Sequence, residues 1–149
     1  MLSHIEWSNN LETGIVAIDR QHRRIVEYIN EMVEMRGSQT DHQDMGRLLD
    51  DLVQYTHSHF SFEEALMGES GYDLLEIHKR THQAFSTKIN EYHSAFHQGE
   101  EAFEKVGELL INWLIHHIMH DDQSYVSPVQ QKLDKMDKQD LDKLLEQAL

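Results

Sequence analysis

The chain has 149 residues, no cysteine, one proline and a formal net charge of −14 from 13 basic and 27 acidic side chains. That length fits one domain around a single core. The lack of cysteine removes disulfides, thiolate metal sites and cysteine nucleophiles, and the acidic surplus argues against nucleic acid or an anionic membrane as partner. The opening "MLSHIEWSNNLETG" has neither a basic start nor an apolar core, and no run of about 20 apolar residues follows, so the expectation is a soluble cytoplasmic protein. Twelve histidines are the one abnormal count.

Scarce proline and glycine, with apolar residues at helical rather than alternating spacing, predict an all-α chain. After an irregular arm to about Ala17, a first helix carries Ile18, His22, Ile25, Val26, Ile29, Met32 and Val33 on one face and stops near "RGSQTD". A second, from about Asp41, aligns Leu48, Leu52, Val53, Thr56, His59, Glu63, Leu66 and Met67 and ends at "GESGY". A third, from about Tyr72 to Gln98, aligns Leu75, His78, His82, Phe85, Ile89, Tyr92 and Phe96. A fourth begins near Glu100 and carries Val106, Leu109, Leu110, Trp113, Leu114 and His117 towards Tyr125. Short connections favour an up-down-up-down antiparallel four-helix bundle over residues 1–127. Residues 128–149 read as a helical C-terminal extension, two short helices with Asp137 capping the second, that serves as a linker to an output domain or as a cap on the bundle.

Polar donors interrupt all four apolar stripes. His59 and Glu63 stand four residues apart where apolar side chains belong, and His78 and His82 repeat that spacing, which stacks side chains about 6 Å apart on one helix face. His22 lies on the first apolar stripe, and "HHIMHDD" supplies His116, His117, His120, Asp121 and Asp122 on the fourth. Hydrogen-bonded core histidines would have to bury five imidazoles and two carboxylates without a basic partner, at high cost. Seven nitrogen and oxygen donors exceed what one ion takes, so two metals are expected. Imidazole with carboxylate and no sulfur leaves iron, manganese, cobalt or zinc open. Spacing alone selects Asp121 as the partner of His117, because a residue five positions on is rotated by about 140°.

"IEWSNNLETGIVAIDRQH", "HFSFEEALM", "HKRTHQAF" and "NWLIHHIMHDD" together resemble the bacterial hemerythrins, and they span nearly everything from Ile5 to Tyr125. The resemblance implies a bundle holding two iron ions in an oxo- or hydroxo-bridged non-haem centre that binds dioxygen. It assigns His78, His82 and His117 to one iron, His22 and His59 to the other, and Glu63 and Asp122 to both, which leaves an open position on the second iron. The family pattern thus chooses Asp122 over Asp121, and a π-type turn between His117 and Asp122 would bring positions five apart into line. His116 and His120 become non-ligands. Phe60, Trp113, Leu114 and Tyr125 match the family's apolar and aromatic lining of the oxygen pocket. The chain has no Glu-x-x-His motif of the ferritin-like oxidases, and no extra acid or base on the ligand faces. The expectation is therefore a non-enzymatic protein that binds dioxygen reversibly, as carrier or store or as the sensing module of a larger signalling protein. A di-iron enzyme acting on peroxide or nitric oxide is the alternative.

Overall fold

The computed structural model describes residues 2–36 and 41–148; apart from an irregular N-terminal arm and the connecting turns these are helical, and no strand occurs among them. The rods of the bundle are α1 (Val16–Arg36), α2 (His42–Glu69), α3 (Leu75–His97) and a fourth, composite rod. That last rod runs through α4 (Phe103–Leu109), a π-helical turn (Leu110–Leu114) and α5 (Ile115–His120), and a 3-10 turn (Asp122–Tyr125) leads on to α6 (Val126–Asp134) and α7 (Lys138–Gln147). Among the described residues no helix is long and apolar enough to cross a membrane.

Local chemistry fixes the ends. The Asp19 carboxylate, in the first turn of α1, accepts from the Thr13 and Gly14 amides and the Thr13 hydroxyl at 2.8 to 3.0 Å, clamping the arm where Gly14 turns with φ +84°. Asn30 holds the arm further along α1 by accepting from the Ile5 amide and donating to its carbonyl, at 2.8 and 2.9 Å. Asp41 caps α2 and Asp137 caps α7, each accepting from the amide three residues on at 2.8 Å, and Asp137 does so as its position predicts. The third helix starts at Leu75 rather than Tyr72, because Gly71, at φ +69°, first reverses the chain.

Two apolar clusters lie along the bundle. The larger draws Ile25, Ile29 and Met32 from α1, Leu49 and Leu52 from α2, Phe85 and Ile89 from α3, and Val106, Leu110, Leu114 and Ile118 from the fourth rod. The smaller joins Ile15, Ile18, Leu66 and Met67 to Tyr125 and Val129, with Leu133 and Leu144 packed on its edge, so α6 and α7 fold back onto this end of the bundle. On α1, His22 falls between Ile18 and Ile25. On α2, His59 and Glu63 fall between Leu52 and Leu66, so a polar layer is enclosed by apolar packing on both sides.

Candidate metal centre

Each rod delivers donors to that layer: His22 from α1, His59 and Glu63 from α2, His78 and His82 from α3, His117 from α5, and Asp122 from the 3-10 turn behind it. All seven are buried, His78 the least so at 5% exposure. They form two groups sharing both carboxylates, one of Glu63, His78, His82, His117 and Asp122, the other of His22, His59, Glu63 and Asp122. Glu63 Oε1 lies 2.9 Å from His78 Nε2 and 3.0 Å from His82 Nε2, while its Oε2 lies 3.1 Å from His59 Nε2. Asp122 divides in the same way, with Oδ1 3.1 Å from the Nε2 atoms of His78 and His117 and Oδ2 3.2 Å from His22 Nε2. The imidazoles of the first group close on one another too, His117 Nε2 standing 3.1 Å from His82 Nε2 and 3.2 Å from His78 Nε2.

These donors fit metal ions better than they fit each other. Neither nitrogen of His22 and neither oxygen of Asp122 has a well-directed hydrogen-bond partner, although several contacts are short. Atoms that approach this closely without aiming at each other aim at a shared centre. The spacing is compatible with six-coordinate ions: with ligands about 2.1 Å from an ion, an octahedron has edges of about 3.0 Å and a tetrahedron of about 3.4 Å. Separations of 2.9 to 3.2 Å within the five-donor group follow the octahedral value.

Without metal, protons supply the positive charge. Burial opposes protonation of His22 and His78, yet the carboxylates of Asp122 and Glu63 outweigh it and lift both imidazoles from 6.5 to about 9. His117 is raised against burial in the same way, chiefly by Asp122. At His59 burial prevails and the imidazole is pushed down. Burial also opposes ionisation of Glu63 and of Asp122, the latter repelled by Glu63 as well, but the surrounding imidazoles hold both carboxyls well below the usual range.

Outer partners orient the imidazoles. With Nε2 turned inward, Nδ1–H of His59 donates to Gln21 Oε1 at 2.7 Å, that of His82 to Glu64 Oε2 at 3.0 Å, and that of His117 to Asp121 Oδ2 at 2.7 Å. The buried Tyr125 hydroxyl donates to Glu63 Oε2 at 3.0 Å. Burial, followed by the nearby carboxylates, keeps that phenol protonated by raising its pKa well above the usual value. Phe60 stacks on His82 at 3.9 Å between ring centroids, Trp113 stacks on His117 at 4.7 Å, and Leu114 is fully enclosed.

The family profile described as "Hemerythrin HHE cation binding domain" matches residues 13–127. The chain belongs to the hemerythrin family. It is 38% identical over 135 residues to a bacteriohemerythrin of Pseudomonas aeruginosa (strain LESB58), covering 91% of this chain and 88% of that protein. A bacteriohemerythrin of Stenotrophomonas maltophilia (strain R551-3) is 40% identical over 131 residues, covering 87% and 84%. A solved wild-type hemerythrin superposes with a TM-score of 0.79 at 25% identity, over 85% of this chain and 98% of that one.

All seven expected donors of this hemerythrin meet in one layer, and they lie inside the family match. One expectation about the fourth rod needs correction. The π turn lies upstream at Leu110–Leu114, and between His117 and Asp122 the chain leaves the α-helix after His120 and tightens into a 3-10 turn. Asp122 lies past the helix end, so helical phase no longer dictates where it points. Asp121, the choice from spacing, is half exposed and accepts a hydrogen bond from His117 Nδ1–H from outside the donor layer. His116 and His120 are exposed and pair with each other at 4.3 Å between centroids. Sequence reasoning missed Gln21 and Glu64, and it placed Asp121 without its orienting role.

Proposed function

We propose that this hemerythrin-family chain is a non-haem di-iron protein that binds dioxygen reversibly, with His78, His82 and His117 holding one iron, His22 and His59 the other, and Glu63 and Asp122 bridging them. The observation that carries the reading is the division of each carboxylate's two oxygens between a three-imidazole and a two-imidazole group. Two such ions would together supply the two electrons that dioxygen takes up on binding, and the group with fewer donors leaves room for the ligand. The chain's own residues set the conditions. Gln21, Glu64 and Asp121 fix the ring orientations, the Tyr125 hydroxyl donates a hydrogen bond to Glu63, and Phe60, Trp113 and Leu114 exclude water. A cytoplasmic carrier or store needs only the bundle. In a sensing module, α6 and α7, packed on the donor end, would pass the state of the centre to a fused output domain.

The experiment is anaerobic reconstitution followed by stopped-flow mixing with oxygen. The expected result is two irons per chain, one dioxygen taken up per two irons, and a visible band that disappears when oxygen is removed. Rapid oxidation with no reversible band, and with peroxide released or consumed over many cycles, would overturn reversible binding in favour of a di-iron enzyme.

A further inference from the structure

A second cluster of donors lies on the surface, far from the buried layer. Asp50 on α2 faces His93 and His97, one turn apart on α3. Asp50 Oδ1 is 2.7 Å from Nε2 of each histidine, and the two Nε2 atoms are 3.2 Å apart. Three donors thus close a triangle with edges of 2.7, 2.7 and 3.2 Å, tighter on its two carboxylate edges than the buried five-donor group. His59 follows Asp50 by nine residues and His82 precedes His93 by eleven, so at 1.5 Å per residue the cluster lies roughly 15 Å along the rods from the iron donors.

From the convergence of these atoms we propose that Asp50, His93 and His97 bind a divalent transition-metal ion, of the zinc, copper or nickel kind, which clips α2 to α3. Two imidazoles and one carboxylate without sulfur suit such ions, and the remaining positions would be filled by water. The cluster is reachable, because His93, His97 and Asp50 are 27%, 46% and 52% exposed. It is also pre-arranged. The hydrogen bond from His93, then that from His97, holds the Asp50 carboxyl below its ordinary range and therefore ionised. The His97 ring lies against the bare backbone of Gly46, one turn before Asp50, where an added Cβ would stand 3.7 Å from His97 Cε1. Arg47, the nearest cation along α2, is turned to Asp44 at 3.3 Å. Position suggests the purpose: α2 and α3 are joined at the iron-donor end by the 70–74 turn, and the surface cluster ties the opposite, open end of the same hairpin.

The test is calorimetric titration of zinc into the iron-loaded protein, with iron content and the visible spectrum followed throughout. The expected result is one zinc per chain beyond the two irons, with no iron displaced. Asp50→Asn and His97→Gln should weaken that binding by at least about tenfold, since even loss of an outer partner costs 10–100-fold in metal affinity. His120→Gln, in the exposed pair on α5, should bind as the parent does. Zinc at 100 times its dissociation constant should raise the folding equilibrium constant about 100-fold in the parent and much less in Asp50→Asn, read as a shift in thermal midpoint. Equal zinc binding by parent and both variants, uptake only at the expense of iron, or no zinc equivalent beyond the irons would each overturn the proposal.

Discussion

Loading the metal-free protein with ferrous ions at pH 7 should release about two protons per chain. The structure sets that number. With Glu63 and Asp122 ionised, the buried layer carries two negative charges, and His22 and His78, both lifted to about 9, balance them as imidazolium. At two pH units below that value each is about 99% protonated, and each must surrender its Nε2 proton to become a ligand. His117 adds a fraction, because it too is raised. The same shifts give a stability profile for the metal-free form. A histidine raised on folding contributes stability that is fully present below its unfolded value near 6.5 and is lost as pH rises through about 9. At 1.36 kcal/mol per unit this is at most about 3 kcal/mol for each of the two, and because they share both carboxylates the pair is worth a few kcal/mol rather than the sum. Glu63 and Asp122 act in the opposite sense, contributing stability above about pH 4 that is lost as pH falls through their depressed values. His59, pushed down by burial, costs stability as pH falls below about 6.5, so the metal-free protein should be most stable near pH 6.5 and should weaken by a few kcal/mol towards pH 9, whereas the iron-loaded protein should not weaken there. Anaerobic calorimetry in two buffers of different ionisation enthalpy counts the protons, and urea unfolding at each pH measures the slope. Release of no protons at pH 7, or a flat metal-free profile from pH 6.5 to 9, would refute the account of which groups hold the charge.

Four substitutions test other parts of the centre. Asp122→Ala should abolish the paired centre, leaving about one iron or fewer per chain by elemental analysis, whereas Asp121→Ala should still fill with two irons but bind them about 10–100-fold more weakly, as expected for loss of an orienting partner. Tyr125→Phe removes the hydroxyl that donates to Glu63 Oε2, so iron content should be unchanged while stability falls by about 1.5–3 kcal/mol in urea unfolding, the range for a hydrogen bond to a charged group. Leu114→Ser opens a cavity in a fully enclosed position, costing about 2–5 kcal/mol, and by admitting water should speed decay of the oxygenated protein to the ferric state without altering iron content.

The donors on α2 and α3 could be read from the sequence because a polar residue at a core position of a regular helix carries its own address. His59 and Glu63 continue the stripe of Leu52 and Leu66, and His78 and His82 that of Leu75 and Phe85. The fourth rod escaped that logic. "LINWL" is apolar almost throughout and has neither glycine nor proline, so nothing in it betrays the π turn, and Asp122 acts from beyond the helix end. Gln21 and Glu64 were hidden for a different reason. Each serves a ring on a neighbouring rod, His59 and His82 respectively, and the relative rotation of two packed helices leaves no mark in the spacing along either one. The arm was hidden as well. Leu2 is pressed onto Gly107 so closely that an added Cβ would stand 2.6 Å from it, a contact between residues more than a hundred positions apart.

Sharing Glu63 and Asp122 also links the two halves of the centre energetically. Two buried carboxylates without counter-charge would each cost several kcal/mol, and protons on His22 and His78 cover that cost only at the expense of the same nitrogens that must bind metal. Proton and metal would thus compete for one layer. A single ion in the three-imidazole group would neutralise one oxygen of each carboxylate and leave the other facing His22 and His59, the pair whose protonation the carboxylates set in opposite directions, His22 up and His59 down. Partial neutralisation of Glu63 and Asp122 weakens their hold on the His22 proton, so filling the first group lowers the protonic barrier to filling the second. The same neutralisation would weaken the attraction for a second divalent ion at least as strongly, so shared carboxylates would couple the two loadings through charge alone, with no movement of the rods.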